Sequence, residues 1–280
     1  MTNTLIILQA RMSSSRLPNK VLMPILGKPM LAQQIARLST VKTPHKLIIA
    51  TSEQQSDDAI ESLCQQLNVN CFRGSLNDVL KRYVQAVHAY SPSYNKSNLS
   101  KKSKNVKTIV RLTGDCPLID SEIIDKVIDL YLSTKVDYCS NCSPATLPDG
   151  LDVEVFSLSA LELADKLAKK PSEREHVTPF IRNNPAIFST ANYNHQPDLS
   201  HYRWTVDEAV DFEFVTKVYQ SLFHKNPYFN LNDIINLMQQ QPELVTINQD
   251  IKRNEGLIKS ELFEIKVETK IETKTDKKSR

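Results

Sequence analysis

No apolar run in this sequence approaches the ~20 residues that a helix needs to cross a bilayer. The longest are short stretches such as Leu5 to Leu8, so no membrane span is expected. The N-terminus lacks the basic segment, extended apolar core and small-residue cleavage site of a secretory signal, which points to the cytoplasm. The five cysteines (Cys64, Cys71, Cys116, Cys139 and Cys142) are odd in number and form no pair of CxxC motifs. That argues against a disulfide framework and a structural zinc site and leaves reduced thiols. Charge of one sign is also missing: the net value is +3, too near balance to suggest a nucleic-acid partner, so any anion site must be local. Internal repeats are absent.

What is present is a chain of 280 residues with 40% apolar side chains, enough for one large α/β domain. Short β-rich runs (Leu5 to Leu8, Lys46 to Thr51, Val69 to Phe72, Thr108 to Thr113) alternate with helical spacing over Met30 to Leu38, Asp57 to Leu67 and Asp78 to Tyr90. Asp57 and Asp78 stand near helix starts. The alternation predicts a mostly parallel, doubly wound sheet, which binds ligands beyond the carboxyl ends of its strands. Ser91 to Lys107, rich in Ser, Asn and Lys, reads as a solvated loop. A single domain is expected over residues 1–250. Residues 251–280 form a charged tail, with Phe263, Ile265, Val267 and Ile271 spaced as for an edge strand in an alternative reading.

Directly after the first strand, Gln9-Ala10-Arg11-Met12-Ser13-Ser14-Ser15-Arg16-Leu17-Pro18-Asn19-Lys20 gathers three cations and three hydroxyls in one turn. A triphosphate needs such converging donors: Arg binds in a planar fork, Lys supplies a compact charge, and hydroxyls and loop amides fill the gaps. The same residues would also suit a solvated basic loop. The GxxxxGK[ST] spacing of a Walker loop is absent. At the end of the fourth predicted strand, Arg111-Leu112-Thr113-Gly114-Asp115-Cys116-Pro117-Leu118-Ile119 places a carboxylate where a magnesium ligand would face phosphates, although an Asp after Gly is also a common turn residue.

The first of these segments, with the following Gly27-Lys28-Pro29-Met30, resembles the signature loop of the cytidylyltransferases that activate 3-deoxy-sugar acids, and most of all the branch related to spore-coat polysaccharide biosynthesis. The resemblance implies a nucleotide-diphospho-sugar transferase-like fold. It further implies that Ala10, Arg11, Ser13, Arg16 and Lys20 bind the nucleotide, and that the GDxPL segment supplies Asp115 as a Mg2+ ligand. Asn19 stands where relatives often have Gly, and Asn tolerates a left-handed backbone. Arg203-Trp204-Thr205-Val206-Asp207 resembles the late strand-plus-Asp segment and implies Asp207 as second metal ligand. Glu208, Asp211 and Glu213, just beyond, read as ordinary charges of a helix start. Arg73, after the third strand, is a further CTP contact in this resemblance.

Leu151-Asp152-Val153-Glu154-Val155-Phe156 reads as an alternating strand with Asp152 and Glu154 on one face, either its wet side or a wall meeting sugar hydroxyls. Ser172-Glu173-Arg174-Glu175-His176-Val177 reads as a helix start continued by Thr178, Pro179 and Phe180. Its Arg174 and His176 either meet an acceptor carboxylate or serve that helix alone. Together the resemblance implies transfer of CMP from CTP to the anomeric hydroxyl of a sugar acid of the nonulosonic type, for surface glycan synthesis. Arg11, Arg16, Lys20, Asp115 and Asp207 would carry the reaction. It also implies a homodimer built through an arm at about residues 147–195. Two alternatives remain at this stage: a CTP-dependent transferase for another polyol or sugar phosphate, and a glycosyltransferase on a related fold.

Overall fold

The computed structural model describes residues 3–91, 106–253, 255–258, 260, 262 and 264. Residues 92–105 of the expected loop, and Phe263, Ile265, Val267 and Ile271 of the alternative edge strand, lie outside the described residues.

In chain order the strands are β1 (Thr4–Gln9), β2 (Pro24–Ile25), β3 (Lys28–Pro29), β4 (His45–Ser52), β5 (Asn70–Gly74), β6 (Thr108–Thr113), β7 (Tyr138–Ser140), β8 (Glu154–Ser157) and β9 (Thr190–Asn192). The helices are α1 (Met30–Leu38), α2 (Asp58–Gln66), α3 (Val79–Tyr90), α4 (Ser121–Thr134), α5 (Leu158–Leu167), α6 (Pro171–His176), α7 (Pro179–Arg182), α8 (Ala209–Leu222) and α9 (Leu231–Gln240). The main sheet runs β5-β4-β1-β6-β8-β7-β9. Its first four strands are parallel, β8 is antiparallel to both of its neighbours, and β9 runs parallel to β7. This is the mostly parallel α/β fold expected from the strand and helix spacing.

β1 shows why the alternation works. Its four central residues are all fully buried, with Ile6 and Leu8 in one apolar cluster and Leu5 and Ile7 in the other, as a strand covered by helices on both faces requires. Parallel pairing with β4 and β6 brings Gln9, Ala50 and Thr113 to one level at the carboxyl end, where the loops that follow can share a crevice. Gly114 keeps that end tight: its amide donates to Gln9 O at 2.7 Å, and a Cβ there would stand 3.0 Å from both that oxygen and Ala10 Cβ.

The segment 147–195, read from the sequence as an arm, is woven into the body. β8 and β9 join the main sheet, and Leu161, Ala164 and Ile181 of α5 and α7 fill the second apolar cluster. The helix expected to run from Ser172 through Phe180 is broken at Val177, whose φ of 72° reverses the chain between α6 and α7. α2 begins at Asp58, one residue later than expected, because Asp57 turns its side chain inward.

Candidate active site

A cavity of about 500 Å³ opens at the carboxyl ends of β1 and β6, between the loop after β1, the Asp115 turn, the Asp207 turn and α6–α7. The size and position match the crevice in which such sheets bind ligands.

The loop after β1 is held from behind by Asp57. Its carboxylate accepts from Met12 N at 2.8 Å, from Thr51 Oγ1 at 2.9 Å and from Ser52 N at 3.0 Å. Burial opposes ionisation of Asp57, but the bonds from Ser52, Met12 and Thr51 outweigh it and hold its pKa below the usual value. Within the loop, Ser14 N and Asn19 N both donate to Met12 O, at 2.9 and 3.1 Å. Asn19 adopts the left-handed conformation (φ 61°, ψ 12°) that its side chain was expected to tolerate. The next residue, Lys20, is thereby turned inward.

Lys20 is the centre of the site. Its ammonium donates to Val206 O at 2.7 Å, Asp207 Oδ1 at 2.8 Å and Asp115 Oδ2 at 3.3 Å. Burial alone would lower the lysine pKa, but the two carboxylates raise it above its ordinary value. Burial likewise works against Asp115, and the Lys20 charge overrides it to hold the carboxyl down to about 2. The two turns are pinned together by Val206 N and Thr205 Oγ1, which donate to Asp115 O at 2.8 and 3.2 Å. Arg16 reaches Asp207 at 2.9 Å from the other side.

Asp207 is itself supported by a buried pair. Arg203 forks onto Asp211 at 2.8 and 2.9 Å and reaches Asp207 at 3.2 Å and Asp149 at 3.0 Å. Asp211 also accepts from the backbone amides of Asp207 and Glu208, both at 2.9 Å, at the start of α8. Read from the sequence as an ordinary helix-start charge, Asp211 is fully buried and organises the turn. Glu213 is ordinary as expected, paired with Lys217 one turn on at 2.9 Å.

The opposite wall comes from β6, β8, α6 and α7. Asp152, Glu154 and His176 all line the cavity. Glu154 is satisfied within the protein: it pairs closely with Arg111 and accepts from Tyr138 OH and Thr178 Oγ1, each at 2.6 Å. Burial opposes its ionisation, but Arg111 and those hydroxyls keep its pKa low. Asp152 pairs with Arg253, yet burial dominates and pushes its carboxyl up to about 7. Burial also lowers the pKa of His176.

Not every expected residue reaches the cavity. Ser13 is exposed, and Ser14 and Ser15 line the cavity in its place. Arg73 faces α2, bound to Asp58 at 2.6 Å and Glu61 at 2.9 Å. Arg174 is taken by Asp78 and Asp165, both at 2.7 Å, and so ties α6 to the start of α3. Ala10, Arg11, Arg16, Lys20, Asp115 and Asp207 all line the cavity. Arg111 and Arg182 line it too, although neither was singled out from the sequence. Arg111 belonged to a motif already of interest, whereas nothing local marked Arg182. Among the described residues no group of three or more His, Cys, Asp or Glu side chains is placed to hold a metal.

A family model described as cytidylyltransferase matches residues 5–254. The chain belongs to the cytidylyltransferase family. The spore coat polysaccharide biosynthesis protein SpsF of Bacillus subtilis is 32% identical over 254 residues, covering 88% of this chain and 98% of that protein. The 8-amino-3,8-dideoxy-manno-octulosonate cytidylyltransferase of Shewanella woodyi is 27% identical over 239 residues, covering 85% and 84%. The solved structure of a cytidylyltransferase from Leptospira borgpetersenii superposes with a TM-score of 0.80 at 34% identity, over 90% of this chain and all of that one. This cytidylyltransferase therefore has the fold that its sequence resembled. No helix among its described residues is long and apolar enough to cross a membrane.

Proposed function

We propose that this cytidylyltransferase moves CMP from CTP to the anomeric hydroxyl of a sugar acid for surface glycan synthesis. The observation that carries this reading is the cluster in which Lys20 bridges Asp115 and Asp207 and Arg16 meets Asp207, at the edge of a cavity that Arg11 and Arg182 also line. The hydroxyl oxygen bonds to the α-phosphorus, the bond to the bridging oxygen breaks, pyrophosphate leaves and the hydroxyl proton passes to solvent. Arg11, Arg16 and Lys20 offset charge on the transferring and leaving groups, so catalysis rests on positioning and electrostatics. Arg182 lines the acceptor wall near Glu154 and His176 and would receive the acceptor's carboxylate.

Two carboxylates at one cation position, with open cavity beside them, fit Mg2+, which is typically held by one or two carboxylates together with substrate phosphates and water. Asp115 and Asp207 would hold it, and when bound it would neutralise charge on the phosphates. Leu163, Leu167 and Ile187 are exposed apolar residues in the segment expected to dimerise, which supports a homodimer testable by sedimentation. A cytoplasmic location is consistent with these substrates.

The test is pyrophosphate release from each of the four nucleoside triphosphates with Mg2+, against a panel of 3-deoxy-sugar acids and of sugar and polyol phosphates. Release restricted to CTP and one sugar acid, and lost in Asp115→Ala, is the expected result. Release with a phosphorylated acceptor instead would overturn the sugar-acid assignment.

A further inference from the structure

Arg82, in the first turn of α3, is fully buried. Its Nη1 donates to Ser75 O at 2.9 Å, whereas Nε and Nη2 are buried without a hydrogen-bond partner among the described residues. Arg37, also buried, is far better held: it donates to Ile119 O and Phe229 O and stands 4.4 Å over the Phe229 ring. The charges near Arg82 do not offset its own. Asp57 attracts it, but that carboxylate already accepts from Met12 N, Thr51 Oγ1 and Ser52 N. Burial lowers the Arg82 pKa and the like charges of Arg11 and Arg111 push the same way, against Tyr83 and Asp57. The Tyr83 hydroxyl, pushed up to about 12 by burial, is neutral at physiological pH and supplies no counter-charge. The first turn of a helix is, moreover, the end where a cation is disfavoured. The backbone nevertheless makes room for this side chain: a Cβ on Gly74, at the end of β5, would stand 2.9 Å from Arg82 Cγ.

We propose that Arg82 is a buried positive charge kept without a counterion for the nucleotide, and that the polyphosphate of CTP, bound against Arg11, supplies the missing negative charge. The inference rests on the cytidylyltransfer reading given above. Val79, one turn earlier on α3, lines the cavity, as do Arg11 and Arg111. Arg82 therefore stands one layer behind the part of the wall that these three form. It touches no substrate atom and is a positioning residue, acting through Arg11 and through a field that the protein interior screens far less than water does. Arg111 is already compensated by Glu154, so it takes no share of that task. Arg11 is the outlet: repulsion from Arg82 favours its guanidinium on the cavity side, where it meets Glu175 at 3.6 Å in a half-exposed pair. Such a pair is weak in water and readily exchanged for a phosphate. An anion arriving there relieves the repulsion between Arg11 and Arg82 at the same time as it binds.

The decisive comparison uses full-length Arg82→Met, which keeps the bulk and removes the charge, and Arg82→Lys, which keeps the charge. Each is measured by calorimetric binding of CTP and of inorganic tripolyphosphate, and by Tm without ligand. Arg82→Met is expected to weaken both ligands on the order of tenfold, as for one poorly screened charge behind the wall. Its Tm without ligand should rise, because an unpaired buried charge is removed. Arg82→Lys should retain most of the affinity for both ligands. A merely structural arginine gives the opposite pattern, with a lower Tm in Arg82→Met. Unchanged tripolyphosphate binding by Arg82→Met, a Met variant that is less stable or fails to fold, or a Lys variant that binds no better than the Met one, overturns the inference and leaves the cytidylyltransfer reading intact. Failure of the unaltered protein to bind CTP overturns that reading, and the inference with it.

Discussion

Lys20 is the residue on which the site turns, because one ammonium holds two carboxylates that would otherwise repel each other across a partly buried floor. Replacing it with Met should cut turnover ~10²–10³-fold, the usual size of losing one charge-stabilising donor. Single-turnover kinetics would show whether the loss falls on chemistry. Asp57 acts one step back, as a positioning residue for the loop after β1. Its folded pKa lies below the ordinary value, so its contribution to stability is present above the unfolded value of ~3.9 and is lost as pH falls through the folded one. Asp57→Asn should therefore flatten the fall of stability with pH below ~4 in urea titrations. At neutral pH the same variant should raise the KM for CTP. Lys20, Asp115 and Asp207 are singled out from the sequence through the family resemblance, and the fold brings both carboxylates within hydrogen-bond reach of Lys20. Asp57 is not among them, since its spacing marks a helix start equally well and only the inward turn of its side chain reveals the second role.

At the scale of elements, the turn between Arg203 and α8 is rigid because Asp211 serves it twice, as cap for the Asp207 and Glu208 amides and as partner of Arg203. Asp211→Ala leaves a buried guanidinium short of its counterion, at a cost of about 3–5 kcal/mol. A fall in Tm of roughly 10 °C follows for a domain of this size, measurable by calorimetry. The left-handed turn at Asn19 should accept Gly without loss, whereas Asn19→Val should destabilise by about 1–2 kcal/mol, because β-branching crowds that conformation. Periodicity located β1, β4, β6, α1 and α3 closely, since each is long, strongly patterned and covered on its buried face. It misjudged the run from Ser172 to Phe180. The reversal at Val177 is dictated by burial of that side chain and by the bond from Thr178 to Glu154, which come from another part of the sheet.

For the whole molecule, the cavity is a meeting of distant segments. Arg182 lies far along the chain from Lys20, yet both line the cavity. Arg182→Gln should raise the acceptor KM about tenfold or more, consistent with losing a charge-assisted pair of ~1.5–3 kcal/mol, and leave CTP affinity nearly unchanged. Steady-state kinetics with each substrate varied in turn would separate the two. Chelation with EDTA should abolish pyrophosphate release, and Mg2+ should restore it.

The sequence by itself determined the layered fold and set apart the cation-rich loop after β1, because alternating apolar periods and clustered donors are local properties of the chain. Tertiary structure alone decided which cations remain available to a ligand. Arg73 and Arg174 look from their motifs like ligand contacts, but Asp58, Glu61, Asp78 and Asp165 claim them; Arg111 reaches the cavity wall already paired with Glu154, and Arg182 is carried there as well. It also decided that Glu255, from a stretch polar enough to read as a charged tail, lines the cavity 3.9 Å from Arg16. The physical reason is the same in both cases: a charge's role depends on which opposite charge the fold brings within a few ångströms, and spacing along the chain does not encode that.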